Sequence, residues 1–215
     1  KYEFGAEKPE QFRQYWPGQY DFFSYMEYAC AIPQPLFAIT TRKAMESQHQ
    51  LPLLELLSGG ISGFFAILAG LCQHTHTYEN LRRDGAFCVN FLSKRYYDAL
   101  IRTVEHNGPA EDEFAVGGFI EETARTVAVP RIAERFLTLE CKCERIEDLS
   151  GEGLTAMVIG RVATGEAEDY AKGFEDQKYS GNGFFYLIHT PKDLETGEGN
   201  HRELQRSARN GKNKN

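Results

Sequence analysis

The chain has no long hydrophobic run: nothing in its 215 residues approaches the roughly 20 consecutive apolar positions a helix needs to cross a bilayer. Its opening, Lys1 to Pro9, is polar and lacks the apolar core of a signal peptide. A cytoplasmic protein that stays off membranes is therefore expected. Basic charge is scarce too, with 24 Lys and Arg against 31 Asp and Glu, for a formal net charge of −7. That balance repels phosphate backbones and argues against general nucleic-acid or anionic-membrane binding. Cysteine is limited to Cys30, Cys72, Cys88, Cys141 and Cys143, an odd set without CxxC spacing, four of them inside apolar, strand-like runs. They read as reduced thiols packed as small hydrophobes. There is no internal repeat, no Rossmann glycine fingerprint, no catalytic triad and no catalytic carboxylate pair. The acidic run Glu111-Asp112-Glu113 reads as a solvated loop.

What is present is enough to fold without staples: 41% of residues are hydrophobic and 13% aromatic. One domain over residues 1–195 is expected, followed by a polar, basic tail over 196–215. Asp21 reads as the N-cap of a short helix that Pro33 and Pro35 end. Leu36 to Thr41, Phe64 to Ala69 and Ala86 to Leu92 are short, apolar and β-prone. Thr77 reads as the N-cap of a short helix with Glu79 in its first turn, and a second helix runs from Ser93 to about Glu105. Pro109 to Arg131 is expected to be loop with one helical turn. Phe136 to Leu149 and Leu154 to Thr164 form an antiparallel hairpin turned by Gly151 to Gly153, and Phe184 to Ile188 is a last strand. Leu51 to Gly60 stays open, because Leu and Glu favour helix and no β-branched residue opposes it. Strands interspersed with short helices, without βαβ alternation, predict a mainly β (α+β) protein. A closed or split antiparallel barrel with short flanking helices fits better than a Rossmann sheet.

Several segments in order then resemble the flavin reductase-like (flavoredoxin-type) family, over roughly residues 30 to 190. Ile32-Pro-Gln-Pro-Leu-Phe-Ala-Ile-Thr-Thr41 is similar to its first barrel strand. Gly63-Phe-Phe-Ala-Ile-Leu-Ala-Gly70, His74-Thr-His-Thr-Tyr-Glu-Asn-Leu81 and Gly85-Ala-Phe-Cys-Val-Asn90 form the most telling run. Val129-Pro130-Arg131-Ile132, Leu139-Glu140-Cys141 and Met157 to Val162 follow in the family's order. The resemblance implies an FMN-binding split β-barrel, paired as a homodimer with the flavin in a groove at the dimer interface. NADH or NADPH would be the electron donor and a flavin or small molecule the acceptor. The ring-facing role falls on Thr40, Thr41, Gln50 and the loop at Ser58 and Gly59, with backbone N–H groups around Ser58 to Ser62 as donors to the ring. The phosphate role falls on His74, Thr75, His76, Thr77 and Asn80. The sequence departs from the family at Gln50, which stands where an Asn is usual, and at Leu54 or Glu55, where a Ser beside an aromatic is usual.

The phosphate assignment also has a physical basis in the residues. A helix start presents unpaired N–H groups and partial positive charge, on which an anion docks. Hydroxyls of Thr75 and Thr77 add donors, and a protonated His74 or His76 adds charge. No Lys or Arg lies between Lys43 and Arg82, so Arg82 and Arg83 are the nearest cations in sequence. Cys72, His74 and His76 alternate as zinc ligands do, but no fourth ligand is evident and no metal is assigned. Redox chemistry would belong to the isoalloxazine, so no catalytic side chain is assigned either. The alternatives are a non-catalytic split-barrel flavin carrier, or a dimerisation module that binds FMN weakly or not at all.

Overall fold

A computed structural model describes residues 3, 5–15, 17–42, 53–106, 111–167, 182–187 and 192–199. In chain order the strands are β1 (Gln34–Pro35), β2 (Ala38–Thr40), β3 (Leu53–Ser58), β4 (Phe64–Cys72), β5 (Ala86–Phe91), β6 (Glu121–Thr123), β7 (Pro130–Ile132), β8 (Leu137–Asp148), β9 (Thr155–Ala167) and β10 (Tyr186–Leu187). The helices are α1 (Gln19–Phe22), α2 (Tyr25–Cys30), α3 (His76–Asp84), α4 (Tyr97–Glu105) and α5 (Glu113–Gly117). The described residues fall into two compact units, one drawn from Lys1–Gln34 and Tyr186–Arg206, the other centred on Pro35–Phe185.

The larger unit is built on six antiparallel strands in the order β2-β5-β8-β9-β4-β3. Strands β2 and β3 each pair on one side only, so the sheet does not close, as a split barrel requires. One face carries the hydrophobic core: Phe87, Val89 and Phe91 of β5, Leu139 and Cys141 of β8, Val158 of β9, and Ala66 and Leu68 of β4. Helix α3 adds Leu81 to it. Phe87 and Leu68 have no solvent contact, and full burial of such side chains stabilises by about 1.5–3 kcal/mol each. Gly160 admits the Phe87 ring, which would lie 2.5 Å from any Cβ placed there. Irregularities at Leu68/Leu71, Glu140/Cys141 and Cys143/Arg145 break the ladder register, and such bulges bend strands.

The opposite face is also covered: Ala86 and Cys88 of β5 pack on Ala124 and Val129, while β8 is covered by polar groups. Glu140 is fully buried and accepts from the N–H groups of Arg125 and Thr126 (2.9 and 2.6 Å), the Thr126 hydroxyl (2.6 Å) and Arg131 Nη1 (3.1 Å). Arg131 also pairs with Glu122 and Glu166, and Arg135 binds the same two carboxylates. These contacts hold the β6–β7 hairpin, Glu121 to Ile132, over the sheet. The segment therefore contains two short strands where loop was expected. Its pairing rests on ion pairs with partners up to 35 residues away, which no local pattern encodes.

Other expectations are refined. Leu53–Ser58 is a strand, because registry with six residues of β4 and burial of Leu54 override the helical preference of its leucines. Asp21 lies inside α1. The longer helix, α2, starts from Ser24, whose hydroxyl accepts from Met26 N–H while Glu27 reaches back in a capping box. Within the smaller unit Phe12, Tyr25 and Tyr28 form the core. Lys192, 4% exposed, lies 4.0 Å from the centre of the Tyr15 ring, and burial followed by the nearby Lys8 lowers its pKa.

Burial alone would raise the Glu140 carboxyl, but its backbone, hydroxyl and guanidinium donors outweigh that and hold it below its ordinary value. A depressed folded value means the stabilisation is complete above the unfolded value near 4.5 and is lost as pH falls through the folded one. Replacing Glu140 with Gln leaves Arg131 two carboxylate partners, so the cost is expected at the low end for a broken buried pair, about 3 kcal/mol. Urea unfolding of wild type and E140Q at neutral pH and at roughly pH 3 measures this, the gap between the two proteins narrowing in acid.

Candidate functional site

The site begins where strand β4 ends. After Cys72 the chain turns through 73–75 into α3, and Thr75, not Thr77, is the N-cap residue, with extended φ −112° and ψ 153°. Thr77 is instead drawn into the inward stripe Thr77, Asn80, Leu81, at helical spacing, and is 7% exposed. The Thr75 hydroxyl makes no cap bond; it donates back to the Cys72 carbonyl at 2.6 Å. The N–H groups that such a side chain ordinarily satisfies, those of Thr77 and Tyr78, are thus left without this acceptor. Among the described residues no hydrogen bond takes the Thr77 hydroxyl. Asn80, one turn further along the stripe, donates to Thr41 Oγ1 at 3.0 Å and fastens α3 to the end of β2.

Thr41 and Asn80 are thereby joined, Thr40 adjoins Thr41 in the chain, Thr77 lies one turn before Asn80 on the same stripe, and Thr75 and His76 stand at the helix start. Thr40 is largely committed to the scaffold: its hydroxyl donates to the Pro130 carbonyl at 2.5 Å and accepts from Asn90 Nδ2 at 3.1 Å. His74 is exposed, and His76 Nδ1 stands 3.9 Å from Glu79. Among the described residues no group of His, Cys, Asp and Glu gathers to hold a metal.

Ser58 and Gly59 lie elsewhere. They end β3 at the tip of the β3–β4 hairpin, with Ser58 opposite Phe64, while the helix start follows Cys72 at the far end of β4. Eight steps of about 3.3 Å separate the ends of that strand. The N–H groups of Gly59, Ser62 and Gly63 are spent inside the turn, on Gly63, Gly59 and Gly60. Arg161 holds the tip, bonding the Ser62 carbonyl and Glu144 with its guanidinium 4.7 Å from the Phe65 ring centre. Gln50 lies outside the described residues.

Of the nearest arginines in sequence, Arg83 is occupied away from the helix start. Arg82 and Arg83 sit in the last turn of α3; Arg83 binds Asp84 and the Arg42 carbonyl, and Arg82 lies over the Tyr78 ring. An open hollow of about 570 Å³ runs between the face of α3 that carries Tyr78, Leu81, Arg82 and Gly85 and the stretch of β8 from Cys143 to Ile146. None of the predicted site residues lines it.

Residues 29–183 match the family model for the flavin reductase like domain. The chain belongs to this family. Solved structures agree on the fold. Component B of nitrilotriacetate monooxygenase from Bacillus cereus superposes with a TM-score of 0.69 at 13% identity, covering 95% of this chain and 100% of that one. An FMN-binding protein from Thermus thermophilus gives 0.64 at 15% identity over 97% of each chain. A putative flavin reductase with a split-barrel domain from Shewanella frigidimarina gives 0.59 at 18%, over 79% and 87%. An uncharacterized protein of Halalkalibacterium halodurans is 30% identical over 96 residues, 43% of this chain. The chain spans less than half the length of the curated relatives it matches.

Sequence reasoning within the family missed Asn90 and Gln73. Asn90 is visible only as a polar residue in an otherwise apolar strand, a signal that a buried amide has partners to satisfy. The bond between α3 and β2 can be measured directly. A double-mutant cycle with Asn80→Ala and Thr41→Val should give a coupling of about 1 kcal/mol in chemical denaturation, the usual worth of one neutral hydrogen bond.

Proposed function

We propose that this protein is a cytoplasmic, FMN-binding oxidoreductase that takes electrons from NADH or NADPH and works as a homodimer. The observation that carries this reading is the uncapped start of α3. A nine-residue helix begins with its N-cap hydroxyl turned back to the Cys72 carbonyl, and Thr77, 7% exposed, lies in its first turn. Such a start matches a phosphate monoester, which needs N–H and O–H donors more than it needs a formal cation.

Thr77 and the first-turn N–H groups would hold the phosphate, with His76 adding charge where it is protonated. Thr41, fixed by Asn80, would border the ring system. When bound, FMN supplies hydride acceptance and onward electron transfer, so the chain's own residues need only bind, orient and shelter it. The family to which the chain belongs, and the similar FMN-binding protein from Thermus thermophilus, support this choice of ligand.

An exposed apolar patch supports the dimer. Leu56 and Phe64, 37% and 39% exposed, share one face of the β3–β4 hairpin at the sheet edge, Leu57, 52% exposed, lies on the other, and Ile61, 108% exposed, stands in the turn between them. Clustered apolar side chains at an open sheet edge mark a surface that a partner covers. A second copy offers the same edge.

Purified protein is expected to be yellow, or to quench FMN fluorescence on titration, and to bleach on adding NADH or NADPH. Binding without bleaching would favour a flavin carrier, and no binding a dimerisation module. Thr77→Val removes one donor to a charged group and should weaken FMN roughly 10- to 100-fold while leaving riboflavin, which lacks the phosphate, little changed. Equal loss for both ligands would place Thr77 outside the phosphate site. For the dimer, sedimentation of the Leu57→Asp, Ile61→Asp double variant should show monomer where wild type shows dimer.

A further inference from the structure

The loop that leads into α3 is gripped from outside the helix. Gln73 N–H donates to the Leu154 carbonyl at 2.9 Å, and Gln73 Nε2 donates to Asp148 Oδ1 at 2.9 Å and to the Thr155 carbonyl at 3.2 Å. Asp148 is itself the organiser of the β8–β9 turn. Its Oδ1 accepts from the N–H groups of Ser150 and Gly151 and from the Ser150 hydroxyl, and its Oδ2 accepts from Gly153 N–H at 2.9 Å. Ser150 Oγ in turn accepts from the N–H groups of Glu152, Leu154 and Thr155. The hairpin head is a rigid block, and the Gln73 side chain is its bridge to the two residues that precede α3. On the other side Thr75 is tied to Cys72, the last residue of β4.

We propose that Gln73 and Asp148 are positioning residues for phosphate recognition: they clasp the β8–β9 turn to the β4–α3 loop and so fix where the first-turn donors of α3 point. This rests on the reading that the α3 start binds the FMN phosphate. Neither residue is assigned a contact with the ligand. Asp148 has its oxygens occupied by donors, so it organises the loop without presenting an open acceptor. The main-chain bond from Gln73 to Leu154 keeps the loop attached when the side chain is changed, while the side chain sets its angle. A helix start that swings by a fraction of an ångström weakens every N–H bond to a phosphate at once, yet leaves contacts to the ring untouched.

The test compares FMN with riboflavin, which differ only in the phosphate, on wild type, Gln73→Leu and Asp148→Asn. Gln73→Leu should lower the preference for FMN over riboflavin roughly tenfold, with riboflavin affinity unchanged. Asp148→Asn keeps the oxygen that Gln73 bonds and should retain most of that preference. Hydrogen exchange without ligand gives an independent readout: amides of 73–78 should exchange faster in Gln73→Leu, while those of β5 do not change. A preference that survives Gln73→Leu, or unchanged exchange at 73–78, overturns the clasp alone. Wild type with no preference for FMN over riboflavin overturns the phosphate reading, and the clasp with it.

Discussion

The buried side-chain amide of Asn90 ties together four strands that would otherwise meet only through their neighbours. Its Nδ2 donates to Thr40 Oγ1 and to the Ala38 carbonyl, and its Oδ1 accepts from Ile132 N–H and the Thr138 hydroxyl. Strands β2, β5, β7 and β8 are thereby held in one relation, and the amide has no unmet capacity inside the sheet. The consequence reaches the site. Thr40 is pinned between Asn90 and Pro130, which places Thr41; Thr41 receives Asn80; and Asn80 sets the depth at which α3 lies against the end of β2. An unsatisfied buried amide would cost more than its bonds return, so this arrangement tolerates little drift.

The ion cluster below it solves a different problem. Covering the second face of β8 with apolar side chains would need a larger segment than the short β6–β7 hairpin provides. Three arginines and three glutamates, Arg125, Arg131, Arg135, Glu122, Glu140 and Glu166, cover it instead, and their charges cancel. Such a cluster adds little net stability over a hydrophobic equivalent, because desolvation offsets most of the attraction. What it supplies is position: a guanidinium that binds three carboxylates in fixed directions admits few alternative registers.

The elements legible in the sequence are those whose pattern is local. Ala86–Phe91 is a run apolar but for Asn90 after a turn signal, and the β8–β9 hairpin announces itself through alternation and Gly151 and Gly153. Three features depended on distant partners and were not legible. Leu53–Ser58 carries helix-favouring residues and is a strand only because β4 lies beside it. The β6–β7 hairpin has no alternation to read, since its hold on the sheet comes from Arg131 and Arg135. At the site, Thr77 was expected as the N-cap, but the inward stripe takes Thr77 and Thr75 occupies the N-cap position. Of the residues expected at the site, Asn80 bonds Thr41 across the α3–β2 junction. Ser58 and Gly59 separated from them because a strand intervenes.

The cations around this site explain what kind of site it is. Arg83 is bound to Asp84 and to the main chain of Arg42, Arg42 donates to the Ala128 carbonyl, and Arg131 and Arg135 are neutralised within the cluster. These guanidiniums, which could bind an anion by charge, serve instead to hold segments of the fold together. What the start of α3 offers is dipoles and hydroxyls, whose attraction falls off within a turn of the helix and depends strongly on direction. In a chain of net charge −7 a phosphate bound there, as proposed, would gain little from approach alone and would have to fit the helix start. A site of this kind depends on the rigidity of its frame, and here the frame is the Asn90 amide on one side of the helix and the Asp148 turn on the other.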